Sequence, residues 1–320
     1  MIRSVSTISI ASSDIDKVKK TYTDVLGLDP PIRSTVYPNG RYREHSLMIG
    51  TVLLELLQPL EGTAGPGGGG MVRFLQRHGE GLYLVTVGLG DDPERYSKRL
   101  ESKGVKVFWD VQGGGRVADG LEKPIRPRVA HPVHPLIHPR YTHGVLWELG
   151  RFFPDIVKEH ARPSNVFRKV MAVSVVCHDN DQALKTYTET LELDPAVRST
   201  VYEKGGYKEH MLAIGDIALL LQQPLVGADA PGRGGDMARA LRQRGEGLYM
   251  VTVDVDDPVA YTKGLEAKGI RVDRFEPEMG RVVDGPSKPP FPAGTVHAMI
   301  DPAYTHGVLW EVGRFRPLYA

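Results

Sequence analysis

The sequence predicts an α+β fold laid down twice in tandem, and three observations point there. The stretch "YTHGVLWELGRF" (141–152) returns as "YTHGVLWEVGRF" (304–315), with one letter changed. Other blocks return in the same order: "RSTVYPNGRYREHSLMIG" (33–50) as "RSTVYEKGGYKEHMLAIG" (198–215), and "GRVADG" (115–120) as "GRVVDG" (280–285). A repeat of this length is a duplicated domain rather than a solenoid unit. Within each half, period-2 and helical apolar patterns alternate as helices and antiparallel hairpins do in α+β proteins. Finally, 320 residues with 41% hydrophobic and 25% charged side chains suit two globular domains of ordinary size. The expected boundaries are 1–153 and 166–320, joined by a polar linker over 154–165 that carries a proline near each end.

Taken in order, "VSTISIA" (5–11) alternates and is rich in β-branched residues, so it reads as a strand. Ser13 or Asp14 caps a helix whose Ile15, Val18, Tyr22, Val25 and Leu26 share one face, and Gly27 stops it. Strands are expected over 43–49 and 52–58, turning at Gly50-Thr51. The glycine-rich segment 65–70 leads into a short helix, "MVRFLQRHG". No Gly-Lys-Ser/Thr follows those glycines, so they are not a phosphate-binding loop. A strand over 82–89, a helix beginning Asp92-Pro93, a strand over 105–111, a loop, and strands near 129–138 and 144–150 complete the half. The second half repeats the order.

Forty basic residues against thirty-nine acidic ones leave a net charge of +1, which gives no general attraction for nucleic acid or anionic lipid. Cys177 is the only cysteine, so an intrachain disulfide and a cysteine-based zinc site are excluded. No apolar run has membrane-spanning length, and the N-terminus alternates where a signal peptide would be continuously apolar. The expectation is a cytoplasmic protein that acts on a small molecule, with no nucleic-acid or membrane partner.

The stretches "DIDKVKKTYTDVLGLDP", "LLELLQPL", "FLQRHGEGLYLVTV" and "IHPRYTHGVLWELG", with their counterparts in the second half, resemble the vicinal oxygen chelate superfamily of glyoxalases, epimerases, extradiol dioxygenases and bleomycin-resistance proteins. The nearest look is to its methylmalonyl-CoA epimerase-like branch. The resemblance implies that each half is a pair of βαβββ modules whose mixed sheet curls into a cup. It also implies four metal-facing positions per cup, falling on Thr7, Glu55, Leu84 and Glu148 in the first half and on Ala172, Leu220, Met250 and Glu311 in the second. Histidine is expected at the first and third of these, and neither half has it. Leucine offers no donor atom and a thioether is a poor ligand for a hard divalent ion, so the usual metal is expected to be absent and no cofactor is assigned.

What remains is acidic. Strand alternation places Leu146 and Glu148 on one face, and the resemblance turns Glu148 and Glu311 into the cups. A carboxyl group in an apolar cavity is costly unless paired or protonated, and its pKa tends to rise, as a general base for a carbon acid requires. The alternative is a residue that merely hydrogen-bonds its neighbours. His134 and His297 lie on the strand beside the glutamate strand and are the candidate catalytic partners. Glu55, Tyr83, Tyr249, Arg116 and Arg281 are candidate substrate contacts; the tyrosines read equally as packing, and the arginines sit in glycine- and proline-rich segments that read as lids or as solvated loops. His143 and His306 fall at a hairpin turn, where a cap or solvent contact is expected. For His45 and His210 the register is open: if Glu44 faces inward, His45 faces out. A substitute metal site from Glu55, Glu148, His134 and His45 is conceivable on donor chemistry alone.

Three functions follow. The first is an isomerase, epimerase or lyase that removes a proton from a small oxygenated substrate with glutamate as base, without the usual divalent metal. The second is a metal-free protein of the bleomycin-resistance type that sequesters a small hydrophobic or aromatic molecule. The third is a ring-cleaving dioxygenase, ranked last because neither half supplies two histidines and a glutamate for iron. The duplication can stand in for a dimer, so monomer and homodimer are both open.

Overall fold

The computed structural model describes residues 2–38, 41–63, 68–111, 116–120, 133–151, 166–286 and 294–315. The expected linker over 154–165 lies outside them. The first half runs β1 (Ile2–Ala11), α1 (Ile15–Lys20), β2 (Arg33–Tyr37), β3 (Tyr42–Ile49), β4 (Val52–Pro59), α2 (Gly68–His78), β5 (Gly81–Leu89), α3 (Pro93–Ser102), β6 (Val107–Val111), β7 (Arg116–Gly120), β8 (Val133–Ile137) and β9 (Leu146–Arg151). The second repeats it as β10 (Lys169–Val176), α4 (Asn180–Lys185), β11 (Arg198–Tyr202), β12 (Tyr207–Ile214), β13 (Ile217–Pro224), α5 (Gly232–Arg244), β14 (Gly247–Asp254), α6 (Pro258–Ala267), β15 (Val272–Phe275), β16 (Arg281–Asp284), β17 (His297–Ile300) and β18 (Leu309–Gly313). Among the described residues, no helix is long and apolar enough to cross a membrane.

Asp14 caps α1, its carboxylate accepting from Lys17 N at 3.1 Å. The helix then widens into a π-turn over Thr21–Val25. That extra residue per turn keeps Ile15, Val18, Tyr22 and Leu26 buried but rotates Val25 to a half-buried position, a small departure from the expected face.

Each half forms one nine-stranded mixed sheet, ordered β6-β8-β9-β5-β1-β4-β3-β2-β7 in the first and β15-β17-β18-β14-β10-β13-β12-β11-β16 in the second. β7 and β16 differ from the sequence reading, which made those segments loops, and β2 and β11 were not anticipated as strands. Four or five residues each, with only Thr35 fully buried in β2, give too short a pattern to read. β7 exists because β2 would otherwise offer an unpaired edge: Thr35 faces Val117 and Val36 faces Arg116 across an antiparallel ladder.

This pairing also shapes the cup. β6 and β7 are opposite edges of the sheet, which would stand about 38 Å apart if nine strands lay flat. The chain from Val111 to Arg116 spans at most about 18 Å. The sheet therefore curls until its edges nearly meet, without closing into a barrel.

The halves are interlocked. Their outer faces share one continuous apolar core, and the repeated turn of the "YTHG" motif lies at its centre. Trp310 Nε1 donates to the Tyr22 hydroxyl at 3.1 Å, and Tyr22 donates to Thr305 O at 3.3 Å. The mirrored pair is Trp147 Nε1 to the Tyr187 hydroxyl at 3.4 Å and Tyr187 to Thr142 O at 3.0 Å. His306 Nδ1 lies 2.7 Å from Glu80 of the first half, and His143 Nδ1 lies 3.0 Å from Glu246 of the second. Gly144 and Gly307 have φ of +80° and +77°, and a β-carbon there would come within 1.8 and 1.9 Å of the Glu246 and Glu80 carbonyl oxygens. Glycine is required at both. The expectation of a solvent contact or simple turn cap for His143 and His306 is corrected: each reaches into the opposite half.

Candidate functional site

Each curled sheet encloses a cavity, about 830 Å³ in the first half and about 750 Å³ in the second. The first is lined mostly by apolar side chains, among them Leu57, Leu84, Leu136 and Leu146, with Phe74 of α2 closing one side. Three carboxylates stand in that wall: Glu44 from β3, Glu55 from β4 and Glu148 from β9, exposed by only 8%, 4% and 1%. Their convergence follows from the register. Ser9 lies between Glu55 on β4 and Leu84 on β5, and Thr86 lies between Thr7 on β1 and Glu148 on β9. Ser9 Oγ donates to Glu55 at 3.1 Å, Thr86 Oγ1 to Glu148 at 2.5 Å, and Ser46 Oγ to Glu44 at 2.6 Å. Burial, and then the fields of Glu44, Tyr37, Glu148 and Glu55, push the Tyr42 phenol well above its usual range.

The inward turn of Glu44 resolves the open register. His45 faces the other way, with Nε2 3.0 Å from Asp16 and Nδ1 2.8 Å from Ser34 Oγ. It is therefore no member of a substitute metal site. His134 occupies a position on β8 opposite Asp110, but its side chain lies outside the described residues.

The second cup differs. Glu311 occupies the place of Glu148, with Oε1 2.9 Å from His297 Nδ1 and Oε2 accepting from Arg233 Nη2 and Thr252 Oγ1, each at 3.3 Å. His297 is 1% exposed and does reach the glutamate. Burial drives the Glu311 pKa up, but the Arg233 charge and the His297 hydrogen bond outweigh it and bring it to about 2. The upward shift expected from an apolar cavity is thus reversed for Glu311, because a buried guanidinium accompanies it. Arg233, which also lies over the Tyr207 ring at 5.2 Å, comes from the glycine-rich segment that sequence reasoning set aside. Glu209, the counterpart of Glu44, accepts from Gln222 Nε2 at 2.7 Å, and burial raises its pKa. Ser174 faces Leu220 where Ser9 faces Glu55, and its buried hydroxyl has no partner among the described residues.

The remaining candidates divide. Tyr83 sits at a register shift in β5, lines the first cavity and meets Phe74 edge-on at 5.1 Å. Tyr249, at the matching shift in β14, packs against the cluster of Val176, Tyr202, Tyr207, Met237 and Leu241 instead of lining its cavity. Arg116 and Arg281 lie exposed on the edge strands, with Arg281 Nε 3.3 Å from Glu203; neither lines a cavity. Trp147 and Trp310 are buried between the halves, whereas Trp109 lines the first cavity and is 43% exposed.

The metal implied by the resemblance does not fit the four positions. Thr7 and Leu84 replace nitrogen donors in the first cup. In the second, Ala172 and Leu220 have no donor, and Arg233 holds the single carboxylate. Among the described residues, no group of three or more histidine, cysteine, aspartate or glutamate side chains is arranged to hold a metal ion.

Comparison with known proteins bears on the fold. A search of curated proteins by sequence finds no match. Of solved structures, a variant of 4-hydroxymandelate synthase from Streptomyces coelicolor aligns over 99% of this chain and 94% of its own, at TM-score 0.65 and 16% identity. Methylmalonyl-CoA epimerases from Streptomyces coelicolor (25% identity, TM-score 0.37) and Mycobacterium tuberculosis (22%, 0.38) align over 46% and 50% of this chain and 96% of their own. The family model described as Glyoxalase/Bleomycin resistance protein/Dioxygenase superfamily matches residues 7–120. Residues 7–120 thus match the glyoxalase/bleomycin resistance protein/dioxygenase superfamily, and the second half repeats the strand order of the first.

Proposed function

We propose that the first cup is the working site of an isomerase, epimerase or lyase that acts on a small carbon acid, with Glu148 as the base. The observation that carries this is the convergence of Glu44, Glu55 and Glu148 on one apolar cavity. Carboxyl groups that share a low-dielectric pocket oppose one another's ionisation, which favours an acid and a base in the same cavity. Glu148 removes the proton α to a substrate carbonyl, leaving an enolate whose charge lies on oxygen. A neighbouring carboxylic acid, Glu44 or Glu55, then returns a proton to carbon from the other face or at another position. In a lyase the enolate instead expels a β-substituent. The apolar wall excludes water that would quench the enolate. No step is assigned to a metal, because the donors at the four superfamily positions do not make a set. In the second cup, Glu311 is held ionised by Arg233 and is a weak base, so that cup is assigned no proton abstraction.

The test is α-hydrogen exchange in D2O, followed by NMR, over a panel of 2-oxo acids and malonate half-thioesters. Glu148→Gln should lower exchange by about 10²–10⁴-fold, the span of general acid–base catalysis, while Trp109 fluorescence still reports ligand binding. Undiminished exchange in that variant would overturn the assignment. Saturable binding with no exchange or product from the parent protein would favour the sequestering function.

A further inference from the structure

The mouth of the first cup carries positive charge that the proton-transfer chemistry does not use. Arg73 and Arg77 lie one helical turn apart on α2, and Arg244 arrives from the end of α5 in the other half; all three line the cavity. Arg244 is placed there by the interlock, with Nη1 3.4 Å from Gly307 O. None of the three has a carboxylate within ion-pairing distance among the described residues, and each is exposed. His78 joins them, 5.1 Å from the Phe74 ring, and after burial itself the charges of Arg244 and Arg77 lower its pKa. Like charges at i, i+4 oppose each other on a helix. Helix-dipole complementarity accounts for basic residues in a last turn, but not for cations of two halves converging on one opening.

The second cup shows the contrast. The counterpart of Arg73 is Arg239, which is paired with Asp236 and donates to Ala228 O. Asp236, Asp273, Glu276 and Glu278 line that cavity with Lys204 and Arg274 among them, so acids outnumber bases there. In the first, Arg73, Arg77 and Arg244 are joined by Glu246 alone beyond the three carboxylates of the wall, so two cavities of similar size on one duplicated scaffold differ in the charge they offer an incoming ligand.

We infer that the first cup takes an anionic substrate, its carbon acid end seated against Glu148 and its phosphate or carboxylate end gripped at the mouth by Arg73, Arg77 and Arg244. This rests on the proposed function of the same cup. Arginine suits the role because its planar fork binds phosphate and carboxylate oxygens in pairs. Cations at an opening with low-dielectric walls also raise the local concentration of an anion, in a salt-dependent way.

The experiment uses the full chain at low ionic strength, with Trp109 fluorescence as reporter and pyrophosphate and malonate as separate probes. Saturable binding of at least one probe is expected, weakened about tenfold or more in Arg77→Gln/Arg244→Gln and weakened again by added salt. Tighter binding of pyrophosphate identifies a phosphate-bearing substrate, and tighter binding of malonate a carboxylate-bearing one. Arg242→Gln, in the same last turn but outside the cavity lining, should leave the affinity unchanged. Failure of both probes to saturate, or equal affinity in the double variant and the parent, overturns the inference. Glu148→Gln separates the two claims. It should lower isotope exchange by about 10²–10⁴-fold yet keep anion binding, so loss of the base assignment leaves the anion mouth standing and the reverse holds equally.

Discussion

Glu80→Gln is the sharpest probe of how the two halves are held together. The Glu80 carboxylate accepts from Ser12 Oγ at 2.6 Å, from Ser13 N and Oγ at 3.0 and 2.8 Å, and meets His306 Nδ1 at 2.7 Å. Burial opposes its ionisation, but the bonds from Ser12, His306 and Ser13 outweigh it and lower the pKa from 4.5 to about 2. By proton linkage a depression of this size corresponds to roughly 3 kcal/mol. The side chain is 28% exposed, so screening by solvent reduces the expectation to about 1–2 kcal/mol. The folded pKa is the lower one, so this stability is present above pH 4.5 and is lost as pH falls toward 2. Urea unfolding followed by Trp147 and Trp310, both buried between the halves, should show Glu80→Gln less stable at pH 7 by that amount. The variant should also lose less stability than the parent between pH 4.5 and 3. Equal stability at pH 7, or an unchanged acid limb, would refute the role given to this contact. Glu246→Gln, which removes a carboxylate bonded to His143 and His178 N, should show the same sign at smaller size.

Arg233→Met should destabilise the second half by about 3–5 kcal/mol, because it strands a buried carboxylate, and should raise the Glu311 pKa above its present value. Carboxyl-carbon NMR titration checks the latter, and an unmoved midpoint would refute it. Gly144→Ala should lower stability by more than about 2 kcal/mol, since the added carbon meets the Glu246 carbonyl and a positive φ disfavours alanine. Gly79→Ala, with φ +71° but open space around it, should cost about 1 kcal/mol, and thermal melts of the two compare them directly. Isotope exchange by the first cup should survive dialysis against a chelator. Loss of exchange that is restored by one divalent ion would reinstate a metal mechanism.

Much of this molecule can be read from its letters because the duplication acts as an internal control. A pattern seen at Glu148 and again at Glu311 is hard to mistake, and both glutamates do face their cavities. The same device misled where local surroundings diverge: two identical motifs suggested two identical bases, and Arg233 separates them. That residue was hidden because a lone arginine among glycines has no periodicity to show which way it points. β7 and β16 were missed because their partner strands β2 and β11 are remote in sequence, and β2 and β11 because five residues reading Arg-Ser-Thr-Val-Tyr show no apolar alternation in the letters. His143 and His306 were placed correctly at turns, yet nothing within one half indicates that the other half supplies Glu246 and Glu80. The hydroxyls of Ser9 and Thr86 carried a signal that strand alternation could have found, since they share the inward face with Glu55 and Glu148.

The reciprocal turns have an evolutionary consequence. Each "YTHG" corner is read by the opposite half, so a change in either copy is judged at once against a surface it did not inherit. Those corners and their receptors must drift together or not at all. The carboxylates inside each cup, by contrast, accept from side chains of their own half: Ser46, Ser9 and Thr86 in the first, Arg233 and Thr252 in the second. Selection was therefore free to furnish one room with acids and fit the other with an arginine, while the wall between them stayed common property.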